Sequence, residues 1–165
     1  NIAIGPDGDV YVVDTGNFRV QRFTSEGRPV RVYGEVGITP GSFARPKGIA
    51  LDKAGRLYVV DAAFQNVQVF DGAGRLLLDF GAARDGFDGL SLPTALRMDY
   101  EGAELFRQRA APDFEVDYVI MVVSQFGPNK VDVFGFGKRR GVAYPPEDGP
   151  ASRRAATEPS VPPAR

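Results

Sequence analysis

The sequence predicts an all-β protein made of β-propeller blades, and three observations lead to this fold class. The segments IGPDGDVYVVD, ending at Asp14, and LDKAGRLYVVD, ending at Asp61, match in one unbroken register with an offset of 47 positions. Within each unit the apolar residues form short β-branched and aromatic runs bounded by Gly, Pro, Asp and Asn. Four antiparallel strands in a repeat of this length are typical of a propeller blade.

The first two units are each predicted to form a complete blade, at residues 1–46 and 47–93. The first contains the runs IAIG, VYVVD, RVQRF and VRVYG, and the second contains GIALD, LYVVD, VQVFD and LLLDFG. The turns PDGD and KAGR separate the first and second runs, and Gly8 and Gly55 supply the positive φ that a tight hairpin turn requires.

The third unit, residues 94–137, is a degenerate blade interrupted by an insertion at residues 103–116. The pattern resumes after the insertion as YVIMVVSQFGPNKVDVF, in which Ser124 replaces the repeated aspartate and Phe134 takes the position of Phe70. No clear outermost strand follows. Residues 138–165 are instead rich in Pro and Arg, which predicts an extended tail.

Composition excludes several classes of function. The chain has 165 residues with a net charge of −1, and it contains neither Cys nor His. These absences exclude disulfides, thiol catalysis, a Ser-His-Asp triad and His-ligated zinc on this chain. Basic and acidic residues are interleaved, so nucleic-acid binding is not expected, and no apolar run approaches the roughly 20 residues of a transmembrane helix.

The Asp-Thr-Gly triplet that begins at Asp14 is similar to the catalytic loop of aspartic proteases. Those enzymes need two such carboxylates. The second unit has Asp61 followed by two alanines, so the aspartate recurs without the rest of the triplet. We therefore interpret Asp14 and Asp61 as structural turn anchors that accept backbone N–H bonds, with Asn17 and Arg19 closing the first turn.

Three further aspartates, Asp52, Asp99 and Asp117, have the chemistry of calcium ligands. Calcium requires six to eight converging oxygen atoms. Asp52 and Asp99 occupy equivalent strand-to-turn positions in adjacent units, which favours turn formation. No catalytic, cofactor-binding or metal-binding residue is predicted.

The repeated pattern G-I-A-x-D-x-x-G-x-[VL]-Y-V-V-D, followed by N-x-[RV]-V-Q-x-F, resembles the NHL repeat and covers residues 1 to about 136. This resemblance implies a bacterial propeller, usually six-bladed, of which this chain would be the C-terminal half. It also implies an extracytoplasmic location, in the periplasm or at the cell surface. Propellers host many unrelated activities, so the fold does not specify the function.

We expect a non-catalytic, protein-binding subunit of a larger assembly. The insertion and the tail are the predicted docking elements, because aromatic and Arg side chains are common interface anchors. The candidate residues are Leu105, Phe106, Arg107, Arg109 and Phe114 in the insertion, and Arg139, Arg140, Tyr144, Arg153 and Arg154 in the tail. The alternative is a propeller hydrolase of the lactonase type, whose site would lie largely on other blades.

Overall fold

The computed structural model describes residues 1–83 and 89–144, which form three antiparallel sheets stacked face to face. This arrangement confirms the predicted all-β class and the blade architecture. In the first two sheets, the strands follow one another in chain order from one edge to the other. Each sheet is therefore a meander of the kind that the four apolar runs predicted.

Each of the first two blades has four strands, separated by short turns. The first blade contains β1 (Ile2–Ile4), β2 (Val10–Asp14), β3 (Arg19–Phe23) and β4 (Pro29–Tyr33), with a 3-10 turn at Thr15–Asn17. The second blade contains β5 (Pro46–Leu51), β6 (Leu57–Asp61), β7 (Asn66–Phe70) and β8 (Leu76–Phe80).

The third blade has three strands and a short helix. It contains β9 (Pro93–Asp99), α1 (Ala103–Arg107), β10 (Phe114–Ser124) and β11 (Val131–Arg139). The strand order is β11-β10-β9, so β11 is an edge strand in the part of the chain that the structure describes. The predicted insertion supplies α1 and the first three residues of β10, and β11 runs two residues into the predicted tail.

The backbone conformation repeats with the sequence. Gly8 and Gly55 have φ values of 85° and 80°, as their tight turns require. Phe18 and Gln65 occupy equivalent positions after the second strand of each blade, and both have a φ of 55° although neither is glycine. The repeat is thus preserved in backbone geometry where the side chains have diverged.

Alternate residues of each strand face the neighbouring blade, and these residues form the core. Tyr11 and Val20 of the first blade pack against Leu57, Val59 and Phe70 of the second, and all five are buried. The opposite face of the second blade contributes a separate cluster with the third. Its buried members include Tyr58, Val60, Val67, Val69, Tyr118, Ile120 and Val122. The second blade is therefore covered by apolar side chains on both faces.

A buried carboxylate connects the second blade to the third. Asp52 lies in the turn between β5 and β6, where its Oδ1 accepts the backbone N–H groups of Ala54 at 3.0 Å and Arg56 at 2.9 Å. Its Oδ2 accepts the Nε–H of Arg56 at 2.5 Å and the hydroxyl of Tyr118, on β10, at 2.9 Å. One side chain thus closes a turn in one blade and binds the next blade.

Aromatic residues enclose this carboxylate. The hydroxyls of Tyr58 and Tyr118 are 2.7 Å apart, and the Tyr118 ring stacks on Phe136 with 4.9 Å between the centroids. The Arg56 guanidinium lies over the Phe136 ring at 4.5 Å. Burial, and then the hydrogen bond with Tyr58, raise the pKa of Tyr118 far above its ordinary value. Its hydroxyl therefore stays protonated and can donate to Asp52.

Asp52→Ala is expected to lower the free energy of unfolding by about 3–5 kcal/mol, because it leaves a mostly buried guanidinium without its counter-ion. The matched control is Asp71→Ala, in the equivalent turn D-x-A-G-R between β7 and β8. There the ion pair of Asp71 with Arg75 is 2.7 Å long, but the Arg75 side chain is 70% exposed, against 20% for Arg56. Asp71→Ala is expected to lower the free energy of unfolding by about 1 kcal/mol or less. Urea denaturation measures both, and equal losses would contradict the bridging role of Asp52.

Candidate protein-interaction site

The connections between strands lie at two opposite ends of the blades. We call one the loop end, which holds the connections after β2, β6 and β10, and the other the turn end, which holds those after β1, β5 and β9. The predicted turn anchors Asp14 and Asp61 lie at the loop end. The insertion follows β9 and therefore lies at the turn end.

Asp61 is buried and holds two loops together at the loop end. It accepts the backbone N–H groups of Ala63 at 2.9 Å and Phe64 at 3.1 Å, in the turn that follows it. It also accepts those of Ala44 at 2.8 Å and Arg45 at 3.0 Å, just before β5. The carboxylate thus joins the entry of the blade to the turn after its second strand.

Hydrogen bonds to Asp14 come mainly from side chains. Its donors are the Nδ2 of Asn17 at 2.9 Å, the Nε of Arg19 at 2.9 Å and the Nε2 of Gln21 at 3.2 Å. The hydrogen bond from Arg19, and then that from Asn17, lower the pKa of Asp14, which keeps the carboxylate ionised.

Ser124 occupies the same place in the third blade with a weaker group. Its Oγ accepts the backbone N–H of Ser91 at 3.2 Å, and Ser91 is the counterpart of Ala44 in the 47-residue repeat. The hydroxyl therefore keeps one of the loop contacts that the Asp61 carboxylate makes. Asp61 and Ser124 thus accept backbone N–H groups of neighbouring loops, which is the kind of contact expected of a turn anchor.

The third blade continues past the other two at the turn end. β10 has 11 residues whereas β6 has 5, and alignment of Ser124 with Asp61 shows that residues 114–119 are additional. They pair with residues 135–139 of β11, and we call these two segments the hairpin extension. Six extra strand residues project by about 20 Å.

A β-bulge shapes the extension. The register of β10 and β11 shifts between Val116 and Tyr118, and Val116 lies opposite Gly137. A Cβ at Gly137 would collide with the backbone oxygen of Glu115, so only glycine fits there. The bulge turns Val116 and Val119 towards α1, where both are buried, while Tyr118 faces the second blade.

A groove of about 390 Å³ lies between the extension and the segment that contains α1. Val116 and Val119 form its apolar floor, and Phe106 and Phe114 are half-buried at its sides. Gly135 leaves space on the strand side, since a Cβ there would lie 3.8 Å from the nearest atom of Val116, an ordinary contact distance. The groove can therefore take apolar side chains from another molecule.

The rim of the groove is charged and largely self-compensated. Three ion pairs lie around it: Arg107 with Glu104, Arg139 with Asp113 at 3.9 Å, and Arg140 with Glu115 at 3.2 Å. Arg109 also lines the groove, and it forms no ion pair with a residue in the described ranges. Next to these groups, Leu105 on α1 is 78% exposed.

The structure brings together candidates that the sequence had placed in two separate elements. Phe114 of the insertion lies directly opposite Arg139 at the start of the predicted tail. Tyr144 turns back to this strand, and its hydroxyl accepts the backbone N–H of Arg139 at 3.0 Å. Leu105, Phe106, Arg107, Arg109 and Arg140 lie beside the same extension. Arg153 and Arg154 lie outside the described residues.

The sequence did not indicate four residues that line the groove, namely Val116, Val119, Val133 and Gly135. The available signal was the segment FEVDYVIMVV, a β-rich run that continues from the insertion into the third unit without a turn residue. The bulge interrupts the alternation of apolar and polar residues at Asp117. The residues FEV therefore read as part of the insertion, although they begin β10.

Asp99 and Asp117, which have the chemistry of calcium ligands, lie in a turn and at the surface, respectively. Asp99 accepts the backbone N–H groups of Glu101 at 3.0 Å and Gly102 at 2.9 Å, as a turn residue does, and Asp117 is exposed. In residues 1–83 and 89–144, no group of three or more Asp, Glu, His or Cys side chains is arranged to hold a metal ion. The same residues contain no helix long and apolar enough to cross a membrane.

Comparison with known proteins identifies the repeat. Residues 2–23 match the NHL repeat family. The human NHL repeat-containing protein 3 is 36% identical over 67 residues, a match that covers 39% of this chain and 19% of that protein. The protein brain tumor of Drosophila melanogaster is 26% identical, covering 50% of this chain and 12% of that protein. The chain thus spans a small part of the length of these relatives.

A solved structure supports the fold. The hydrazine synthase of Kuenenia stuttgartiensis superposes with a TM-score of 0.55 and 18% identity, covering 84% of this chain and 34% of that chain. At this level of identity, the similarity concerns the fold alone.

The two turn anchors are expected to differ in their contribution to stability. Asp61→Asn replaces a buried acceptor of several backbone N–H groups, and we expect it to lower the free energy of unfolding by about 2–3 kcal/mol. Asp14→Asn is expected to cause a smaller loss, because its partners are side chains that remain in contact with solvent. Thermal and urea denaturation measure both variants.

The loss in Asp14→Asn should also depend on pH. The folded protein lowers the pKa of Asp14, so this carboxylate stabilises the fold above its ordinary pKa of 3.8, and the contribution disappears as the pH falls through the lowered pKa. The difference between Asp14→Asn and the unchanged protein should therefore shrink in acid. A larger loss for Asp14→Asn than for Asp61→Asn at neutral pH would contradict the assignment.

Proposed function

We propose that this chain, which is built of β-propeller blades and matches the NHL repeat at residues 2–23, is a non-catalytic, protein-binding subunit of a larger assembly. In this proposal the blades are the scaffold, and the hairpin extension with α1 is the docking element. The loop end contributes structural anchors through Asp14 and Asp61.

The observation that carries the proposal is the groove beside the extension. It combines an apolar floor, two half-buried phenylalanines, an arginine without a described ion-pair partner and an exposed leucine on one side of one blade. Aromatic and Arg side chains are enriched among the residues that dominate binding energy at protein interfaces. This groove is therefore suited to an apolar side chain with a carboxylate beside it.

The extension has a further property of a docking element. The equivalent strands β6 and β7 of the second blade end without any such continuation. Additions to one unit of a repeated scaffold are common places for specific binding, because the repeated strands hold them in a fixed position. The tight pairing of residues 114–119 with residues 135–139 gives the site a rigid base.

The activity, partners and location of the whole protein belong to this proposal, because the chain spans only 19% and 12% of the two relatives. The extracytoplasmic location stays a prediction that cell fractionation would test. The alternative of a lactonase-type hydrolase would be favoured over the proposal if the protein turned over a substrate without any partner.

Leu105→Asp is expected to release the protein from its assembly, because it places a carboxylate in the apolar part of the proposed interface. The matched control is Ile38→Asp in the loop between β4 and β5. Ile38 is 89% exposed, similar to Leu105 at 78%, but it lies at the loop end. The tagged protein is purified from its native source, and its subunit composition is measured by mass spectrometry.

We expect Leu105→Asp to reduce co-purifying subunits at least tenfold, while Ile38→Asp retains them. A second variant, Gly135→Leu, fills the groove from the strand side and is expected to act like Leu105→Asp without a loss of stability. Retention of all subunits by Leu105→Asp and Gly135→Leu would contradict the proposal.

A further inference from the structure

We infer that the partner bound at the groove is a second copy of this chain, and that each copy places Leu105 over the groove of the other. This inference deepens the proposed function and rests on it, because it names the occupant of the same site. It concerns residues 101–109, a segment that contains α1 and lines one side of the groove.

The groove is suited to an apolar side chain with a carboxylate beside it, and the chain carries this combination itself. Leu105 is 78% exposed on α1, and Glu101 lies four positions before it. The helical backbone begins at Gly102, which has φ and ψ angles of −72° and −9°. Glu101 therefore lies about one helical turn before Leu105.

Two charged side chains of this segment are left without an ion-pair partner. Glu101 is exposed, and within residues 1–83 and 89–144 it forms no ion pair. The same is true of Arg109 at the rim of the groove. The three ion pairs around the groove are formed within the chain by other residues. One acidic and one basic side chain are thus available for a contact between molecules.

The spacing of these residues fits a two-fold arrangement. Leu105 lies four positions after Glu101 and four positions before Arg109. If two copies of α1 pack antiparallel about an axis near Leu105, Glu101 of each copy faces Arg109 of the other. Such a contact is isologous, so each interaction occurs twice. One complementary pair of residues therefore supplies two ion pairs.

The apolar contact is reciprocal as well. Val116 and Val119 form the floor of the groove, and Phe106 lies at its side. Because Phe106 directly follows Leu105, the exposed leucine and the groove of one copy lie next to each other. A two-fold axis between them places the leucine of each copy over the groove of the other. Association would thus remove from water an apolar side chain that a single copy exposes.

This surface is separate from the faces on which the blades stack. α1 belongs to the insertion, and the turns at the equivalent positions of the first two blades, PDGD and KAGR, contain no helix. Leu105 therefore has no counterpart in the repeat. Its exposure is a property of the insertion and not of an uncovered blade.

The dimer is expected to be weak. A contact between one short helix and one groove belongs among the small interfaces, which bury less than about 1,200 Å². Its ion pairs would lie at the rim, where salt screens them. Association should therefore be concentration-dependent and weaker at high ionic strength.

Sedimentation equilibrium of the purified 165-residue chain, at protein concentrations up to several hundred micromolar and at low ionic strength, tests the inference. The test variants are Glu101→Arg and Arg109→Glu, each of which places like charges opposite each other in the antiparallel dimer. The control is Glu35→Arg, which changes the net charge as Glu101→Arg does. Glu35 is an exposed residue of the loop between β4 and β5.

We expect each test variant to weaken dimerisation at least tenfold, and the control to dimerise as the unchanged chain does. All three positions are exposed, so thermal denaturation should give the same midpoint for every variant. A dimer that both test variants form as tightly as the unchanged chain would overturn the inference. An unchanged chain that stays monomeric would overturn it as well.

A mixture of the two test variants gives the sharpest result. A Glu101→Arg copy and an Arg109→Glu copy present opposite charges to each other at both contacts of the antiparallel dimer. Their mixture should therefore recover a heterodimer with an affinity close to that of the unchanged chain. If the mixture stays monomeric, the antiparallel pairing is wrong and the inference falls.

The two proposals fail in different ways. If the purified chain stays monomeric while Leu105→Asp still releases the co-purifying subunits, the groove binds a different protein and only the second-copy inference is wrong. If the charge variants behave as expected while Leu105→Asp and Gly135→Leu retain every other subunit, the docking role of the groove towards other proteins is wrong. The second-copy inference then stands.

Discussion

The carboxylate of Asp52 fixes the third blade against the second, and the position of the hairpin extension depends on it. Its bond to Tyr118 reaches the base of the extension, where Phe136 stacks on the same tyrosine. Arg56 pairs with Asp52 and also lies over the Phe136 ring. The same guanidinium therefore contributes an ion pair and an aromatic contact to this junction between the blades. Because this interaction is buried, the removal of Asp52 is expected to cost far more stability than the removal of Asp71 from its exposed pair with Arg75.

The third blade illustrates how a repeat scaffold acquires a specific surface. Its core-facing side keeps the pattern of the repeat, since Ile120 and Val122 pack on the second blade as Leu57 and Val59 pack on the first. Its other side keeps apolar residues at Val123, Val131 and Val133, the counterparts of Val60, Val67 and Val69, and it also carries α1 and the groove. One face of the blade thus maintains the fold, while the other presents most of the features that the proposed function uses.

Much of the fold could be predicted because the sequence repeats. The apolar run LYVVD is β6, and Gly8 and Gly55 have the positive φ expected of their turns. The length of β10 could not be predicted, because a bulge at Asp117 breaks the alternation by which strands are recognised. The contact of Asp52 with Tyr118 crosses 66 positions of sequence, and no local pattern reports such a contact.

The sequence indicated some residues of the candidate site but not its geometry. Aromatic and Arg content pointed to Phe114 and Arg139, whereas their direct opposition follows from the pairing of β10 with β11. Gly135 and Val119 carry no functional signal in the sequence, and they contribute to the groove only because α1 folds over this face. The composition thus indicated the residue types of the candidate site, whereas the shape of the groove depends on how β10 and β11 pair.

The central claim is that the turn-end side of the third blade is the interaction surface. Hydrogen exchange, measured on the protein within its native assembly and after its purification from it, tests this most directly. The account predicts that assembly slows exchange in residues 103–116 and 131–144 and leaves the turns after Asp14 and Asp61 unchanged. Protection confined to those loop-end turns would contradict it.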